Sequence, residues 1–215
     1  MGNQAVAQFF ISLCLLAAMF MAGLTAGPAP AVAGTLALKP KSEPYYAFPK
    51  PLPPPIVIWQ DATGDDLSLR RFLGQVVVLN FWATWCAPCV MEMPSLDALQ
   101  KRYRKAGLKV VAVSLDKAGY DKIRDFYLEH NIRQLDIFSN PDATAPAAFK
   151  VRSLPTSFII NRQGQLVGLV NGYEDWDEDA IRSQLELYLR EDVDHAPTAA
   201  MPAVDLNRKV IGVDE

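Results

Sequence analysis

Two runs in the middle of this chain are apolar almost without interruption, Val76–Trp82 (VVVLNFW) and Lys109–Leu115 (KVVAVSL). Runs of that length, rich in β-branched and aromatic residues, predict strands covered on both faces. Between them the period changes. Met93, Leu96, Leu99 and Tyr103 recur at spacings of three, three and four, so Cys89–Lys105 is expected to be a helix with one buried face. A second helix is predicted over Tyr120–His130, with Ile123, Phe126 and Tyr127 on one side. A last one is predicted over Asp177–Arg190, carrying Ile181, Leu185, Tyr188 and Leu189. Asp175, Asp177, Glu178 and Asp179 complement the helix dipole at its start.

Shorter segments complete the pattern. Thr156–Ile160 and Leu166–Val170 flank Asn161-Arg162-Gln163-Gly164, a hairpin in which glycine supplies the left-handed position. Ile56–Gln60 and Leu67–Arg70 flank residues 61–66 as an N-terminal hairpin. Asp136–Ser139 reads as a short strand, and Asp142–Lys150 as a helix or irregular turn. The order β-β-β-α-β-α-(β)-β-β-α combines parallel crossovers with a closing antiparallel pair. It implies an α/β fold with a central mixed β-sheet flanked by helices. No internal repeat is visible.

The two ends have a different character. Met1–Leu38 carries no charged side chain, so all 21 basic and 24 acidic residues lie from Lys39 onward. Within it Phe9–Leu24 (FFISLCLLAAMFMAGL) has the length of a secretory apolar core and nearly that of a membrane span. Ala31-Val32-Ala33 before Gly34 resembles a cleavage site. Residues 1–27 are therefore expected to be a signal peptide or an N-terminal membrane anchor, placing the rest outside the cytoplasm. Residues 28–55 hold nine prolines and read as an extended, semi-rigid linker that joins no sheet or helix interior. Residues 56–191 form the expected single domain, and 192–215 a disordered tail. The net charge of −3 offers no basic footprint for nucleic acid.

Cysteine usage then narrows the chemistry. Cys14 lies inside the apolar run, without the small preceding residue that lipid attachment needs. The exported part holds only Cys86 and Cys89, three positions apart in Trp85-Cys86-Ala87-Pro88-Cys89. A structural framework would use more cysteines at longer spacing, so a lone C-x-x-C in an oxidising compartment points to chemistry. Zinc needs two further ligands, and the only candidates outside the pair, His130 and His195, are neither paired nor near another cysteine. Two thiolates alone can hold Cu(I), which leaves a metallochaperone open as a binding-class alternative. Placed between a buried strand and a helix, Cys86 sits at the helix N-terminus, where unpaired N–H groups and the dipole favour its thiolate. Cys89, one turn on, suits the resolving role. Pro88 is tolerated in a first helical turn.

Trp82-Ala83-Thr84-Trp85-Cys86-Ala87-Pro88-Cys89, with Leu154-Pro155-Thr156 downstream, resembles the thioredoxin superfamily. The likeness covers roughly residues 55–191 and is strongest to its TlpA/ResA/CcmG-like branch of extracytoplasmic thiol–disulfide oxidoreductases. The resemblance implies a thioredoxin-like fold with a TlpA-type insertion before the strand that follows Pro155. It also implies that Pro155 is cis and that Leu154, Pro155, Thr156, Trp85 and Pro88 dock the substrate. The buried Asp of cytoplasmic thioredoxins is replaced by Asn80, which exchanges no proton. Glu92 matches the Glu of the K-E-x-P-type segment, here Val90-Met91-Glu92-Met93-Pro94, and is the candidate proton shuttle for Cys89. The function implied is a protein-disulfide reductase serving cytochrome c maturation or oxidase copper-site assembly. Its partners would be apocytochrome c or copper-assembly proteins and a membrane electron donor of the DsbD/CcdA type. No cofactor is expected beyond the Cys86–Cys89 disulfide. A disulfide-forming oxidase shares every one of these residues and differs in reduction potential. A thiol peroxidase would need an activating Arg and Thr around Cys86.

Overall fold

The computed structural model describes residues 45–190. The expected signal or anchor, most of the linker and the tail lie outside them. Strands β1 (Tyr46–Leu52), β2 (Trp59–Gln60) and β3 (Asp66–Leu67) come first, followed by a 3₁₀ turn at Leu69–Phe72. Then come β4 (Val76–Trp82), α1 (Ala87–Tyr103), β5 (Leu108–Ser114), α2 (Tyr120–Glu129), β6 (Phe138–Ser139) and α3 (Thr144–Ala148). The chain closes with β7 (Thr156–Ile160), β8 (Leu166–Asn171) and α4 (Asp179–Arg190). The eight strands form one sheet in the order β1-β8-β7-β4-β5-β6-β2-β3. β4–β5 and β5–β6 are parallel and the other pairs antiparallel, so the mixed sheet expected from the pattern is present.

Every residue of β4 is buried, because β5 and β7 bond its two edges and both faces are covered. Side chains alternate across a strand. Val78 and Trp82 face one packed cluster with Met93, Leu96 and Leu99 of α1, Ile123 and Phe126 of α2, and Ile181 and Leu185 of α4. Val77, Leu79 and Phe81 face the other, with Trp59, Phe72, Phe138 and Phe149. Each such side chain contributes about 1.5–3 kcal/mol by leaving water.

The main correction concerns the proline-rich segment. Residues 46–52 fall in the expected linker, yet they form β1, an edge strand paired antiparallel with β8. The physical reason is position. An edge strand is bonded on one side only, so Pro49 and Pro51 can face away from the ladder, and the register shifts between Ala47 and Leu52. The strand is also anchored by Tyr45. Its hydroxyl lies 2.8 Å from that of Tyr188, and its ring fills the space a Cβ on Gly168 would occupy. The N-terminal pair is shorter than expected, Trp59–Gln60 against Asp66–Leu67, and Leu69–Phe72 turns as 3₁₀ helix instead of extending the strand. Between β5 and β7 lie α2, β6 and α3.

Candidate active site

Helix α1 starts where β4 ends, and the turn between them carries the cysteines. Cys86 is the N-cap residue, in extended conformation, and its carbonyl accepts the first helical bond from Val90 N–H at 3.0 Å. Ala87 and Pro88 occupy the first turn, where a missing N–H costs no helical bond. A thiolate at Cys86 would face the unpaired N–H groups of that turn. Cys86 and Cys89 are joined as a disulfide with Cα atoms 5.2 Å apart. Cys89 is fully buried, Cys86 nearly so. Trp82 and Trp85 stand three residues apart, but Trp82 is fully buried and Trp85 is 70% exposed, an apolar surface beside the disulfide.

The turn is held from β5. Asp116, buried just beyond that strand, accepts bonds from Thr84 N–H at 2.9 Å and Thr84 Oγ1–H at 2.7 Å. Ser114 Oγ–H donates to the same carboxylate at 2.7 Å. Two charge-assisted bonds to the residue before Trp85 fix the path of the chain into Cys86.

Below the disulfide lies a buried carboxyl. Cys89, Glu92, Met93, Leu96, Leu99 and Gln100 make up the buried face of α1, so Glu92 points into the core rather than to solvent. Asn80 is on the same sheet face as Val78 and Trp82, and its Nδ2–H donates to Glu92 Oε1 at 2.6 Å. Asn80 stands opposite Ser157 in the β4–β7 register, and a second Nδ2–H reaches Ser157 Oγ at 2.9 Å. The backbone N–H of Glu174, in the β8–α4 loop, approaches Glu92 Oε2 at 3.3 Å. Burial pushes the Glu92 carboxyl up to about 8; the bonds from Asn80 and Glu174 N–H oppose the rise, and the nearby Glu174 carboxylate adds to it. The buried Trp176 indole adds a further attraction that falls short of hydrogen-bond geometry. Burial thus outweighs three favourable contacts.

The remaining predicted residues divide. The Leu154–Pro155 bond is cis, as the resemblance implied, and Gly172 N–H donates to the Pro155 carbonyl at 2.9 Å. Leu154 is half-buried and packs against the cluster that holds both cysteines. Pro88 is exposed. Thr156, expected to dock substrate, is buried: its hydroxyl donates to Ser153 O at 2.8 Å and lies 3.2 Å from Asn171 Oδ1. It shapes the turn, because the first residue of a central strand has no free face. Four residues of the site gave no signal in the pattern of the chain: Ser157, Glu174, Trp176 and Asp116. Each is brought in by pairing or loop closure over long sequence distance. The sequence left the burial of Glu92 open; the structure places it on the inward stripe of Met93, Leu96 and Leu99.

Comparison with known proteins agrees with this geometry. A ResA thiol–disulfide oxidoreductase of Bacillus thuringiensis subsp. konkukian is 29% identical over 136 residues, covering 63% of this chain and 74% of its own length. ResA of Bacillus subtilis is 30% identical over 118 residues, 55% of this chain and 65% of that protein. Among solved structures, a Chlorobium tepidum protein assigned as thiol:disulfide interchange protein DsbE superposes with a TM-score of 0.59 at 29% identity, covering 66% of this chain and 99% of that one. StoA of Bacillus subtilis, with a TM-score of 0.50 and 22% identity, shares the fold. The sequence profile of the AhpC/TSA family matches residues 52–168, more than half of the chain. By that match and those relatives, this chain belongs to the thioredoxin-like AhpC/TSA family and is a thiol–disulfide oxidoreductase.

Proposed function

We propose that the chain works outside the cytoplasm as a protein-disulfide reductase, with Glu92 as the proton acceptor for Cys89. The observation that carries this reading is the buried Glu92 carboxyl three residues after Cys89, held by burial at about 8, close to the range in which a thiol ionises. In the reduced protein the Cys86 thiolate attacks a substrate disulfide. One substrate sulfur joins Cys86 in a mixed disulfide, and the other leaves as a thiolate and is protonated by solvent. Glu92 in its carboxylate form, the minor one at neutral pH, then accepts the Cys89 proton, and the Cys89 thiolate attacks Cys86 Sγ. The internal disulfide forms, the second substrate thiol leaves, and two electrons have passed to the substrate. A membrane electron donor of the DsbD/CcdA type would restore the dithiol, with no cofactor beyond the cysteine pair. Trp85 and Leu154 offer the apolar surface against which an extended segment of the partner can lie.

Relatives named ResA and DsbE, together with the uncharged apolar start at residues 9–24, support an extracytoplasmic setting. Cytochrome c maturation or copper-site assembly is the setting we infer for the reductase, with apocytochrome c or copper-assembly cysteines as substrates. Two experiments test it. The Cys89→Ser variant should hold its partner on Cys86 as a stable mixed disulfide identifiable by mass; no trapped partner under any redox condition sinks the exchange mechanism. The reduction potential of the pair should lie toward the reducing end of the roughly 150 mV that the superfamily spans. A value at the oxidising end, with rapid disulfide donation to reduced substrates, makes the protein an oxidase instead.

A further inference from the structure

Asn80 Oδ1 is buried and has no hydrogen-bond partner among the described residues. An amide could remove that defect by turning over, so something must hold it. Both of its N–H groups are in use, one on Glu92 Oε1 at 2.6 Å and one on Ser157 Oγ at 2.9 Å. Turning the amide would set Oδ1 against an ionised Glu92 Oε1 at that short distance and lose that bond, and the Ser157 hydroxyl would have to donate where it now accepts. The unpaired Oδ1 shows which side of the amide the fold requires. Ser157 can take its part only because the β4–β7 register sets it directly opposite Asn80.

The two oxygens of Glu92 are therefore unequal. Oε1 receives a short bond from Asn80, whereas Oε2 receives a long one, 3.3 Å, from Glu174 N–H. A proton added to an oxygen weakens the bond that oxygen already accepts, so it goes to the oxygen with less to lose. We propose that Asn80, with Ser157 accepting its other N–H, is a positioning residue that keeps Glu92 Oε1 as an acceptor and assigns the exchangeable proton to Oε2. This deepens the relay reading of Glu92 and rests on it. The asparagine exchanges no proton itself; it decides where on its neighbour the proton sits. The titratable group that acts on Glu92 is Glu174, from the β8–α4 loop, and Cys89 shares its buried face of α1. Asn80 and Ser157, from β4 and β7, are neutral, so changing them alters hydrogen bonding without altering charge.

The test uses full-length protein in the oxidised form, where the cysteines do not titrate. Glu92 is followed by its ¹³C carboxyl resonance against pH in the wild type and in Asn80→Ala, Ser157→Ala and Ser157→Thr. Loss of the Asn80 donor should raise the Glu92 midpoint by about one pH unit. Ser157→Ala, which removes the acceptor of the second N–H and so loosens the amide, should raise it by about half as much, and Ser157→Thr, which keeps the hydroxyl, should restore the wild-type midpoint. A merely structural role for Ser157 would show as lost stability with an unmoved midpoint. Midpoints in Asn80→Ala and Ser157→Ala within about 0.2 of the wild type would overturn the proposal; Ser157→Ala alone suffices if Asn80→Ala does not fold. The relay reading is separated by a second measurement, the pH profile of substrate release from the Cys86 mixed disulfide. If the midpoints move as expected and the release profile stays put, Asn80 positions Glu92 but Glu92 is not the acceptor for Cys89.

Discussion

Replacing Glu92 by glutamine removes a carboxyl that is fully buried yet bonded to Asn80 and approached by Glu174 N–H. In the folded protein this group loses its proton near 8, against 4.5 as its ordinary value. Below about 4.5 both the folded and the unfolded chain hold the proton, and the group leaves stability unchanged. Between the two values the unfolded chain has released it and the folded chain has not. Stability therefore falls as pH rises, by about 1.4 kcal/mol per unit, and levels off once the folded protein also ionises. The whole interval converts to about 5 kcal/mol at most, a large part of the 5–15 kcal/mol typical of a domain. The assay is urea unfolding of the oxidised protein at pH 5.5, 7.0 and 8.5 at constant ionic strength. The wild type should lose about 3–4 kcal/mol across that range, while Glu92→Gln stays level and becomes the more stable of the two at pH 8.5. Asp61, Asp142, Asp177 and Glu186 do not confuse the result: hydrogen bonds hold them below their ordinary values, so they lose stability only toward acid. An equal slope in wild type and Glu92→Gln would refute the assignment of a proton to the buried carboxyl at neutral pH.

Three further outcomes are expected. Trp85→Ala, at a 70% exposed position, should change unfolding free energy by less than about 0.5 kcal/mol yet weaken partner binding at least about tenfold, as read by mixed-disulfide trapping rates. Gly168→Ala would bring a Cβ to 2.2 Å from the Tyr45 ring. It should therefore cost about 1–3 kcal/mol in chemical denaturation, and much less in a Tyr45→Ala background. Asp116→Asn, which weakens the grip on Thr84 N–H and Oγ1–H, should destabilise by about 2 kcal/mol in the same assay. It should also raise the rate at which an alkylating agent reaches reduced Cys86, which is nearly buried while that turn is held.

By itself the sequence determined the elements with strong periodicity and the chemistry with local spacing. The run Val76–Trp82 could only be a doubly covered strand, and the three-residue step from Cys86 to Cys89 at a helix start could only put the two sulfurs one turn apart. Those features rest on neighbours in the chain, which is why pattern and motif reach them. The tertiary structure decided what depends on long-range pairing. Whether the proline-rich segment lies free or in a sheet was set by β8 offering an open edge, not by anything within residues 46–52. That the Thr156 hydroxyl turns inward was set by Ser153 and Asn171, which take it. The surroundings of Glu92 are the clearest case. Asn80, Ser157 and Glu174 lie 12, 65 and 82 positions away in the chain and converge only when β4, β7 and the β8–α4 loop close over α1. The motif marks Glu92 as a candidate three residues after Cys89; only that closure turns it inward and removes the water, and the removal of water is what makes an ordinary glutamate hold its proton near neutral pH.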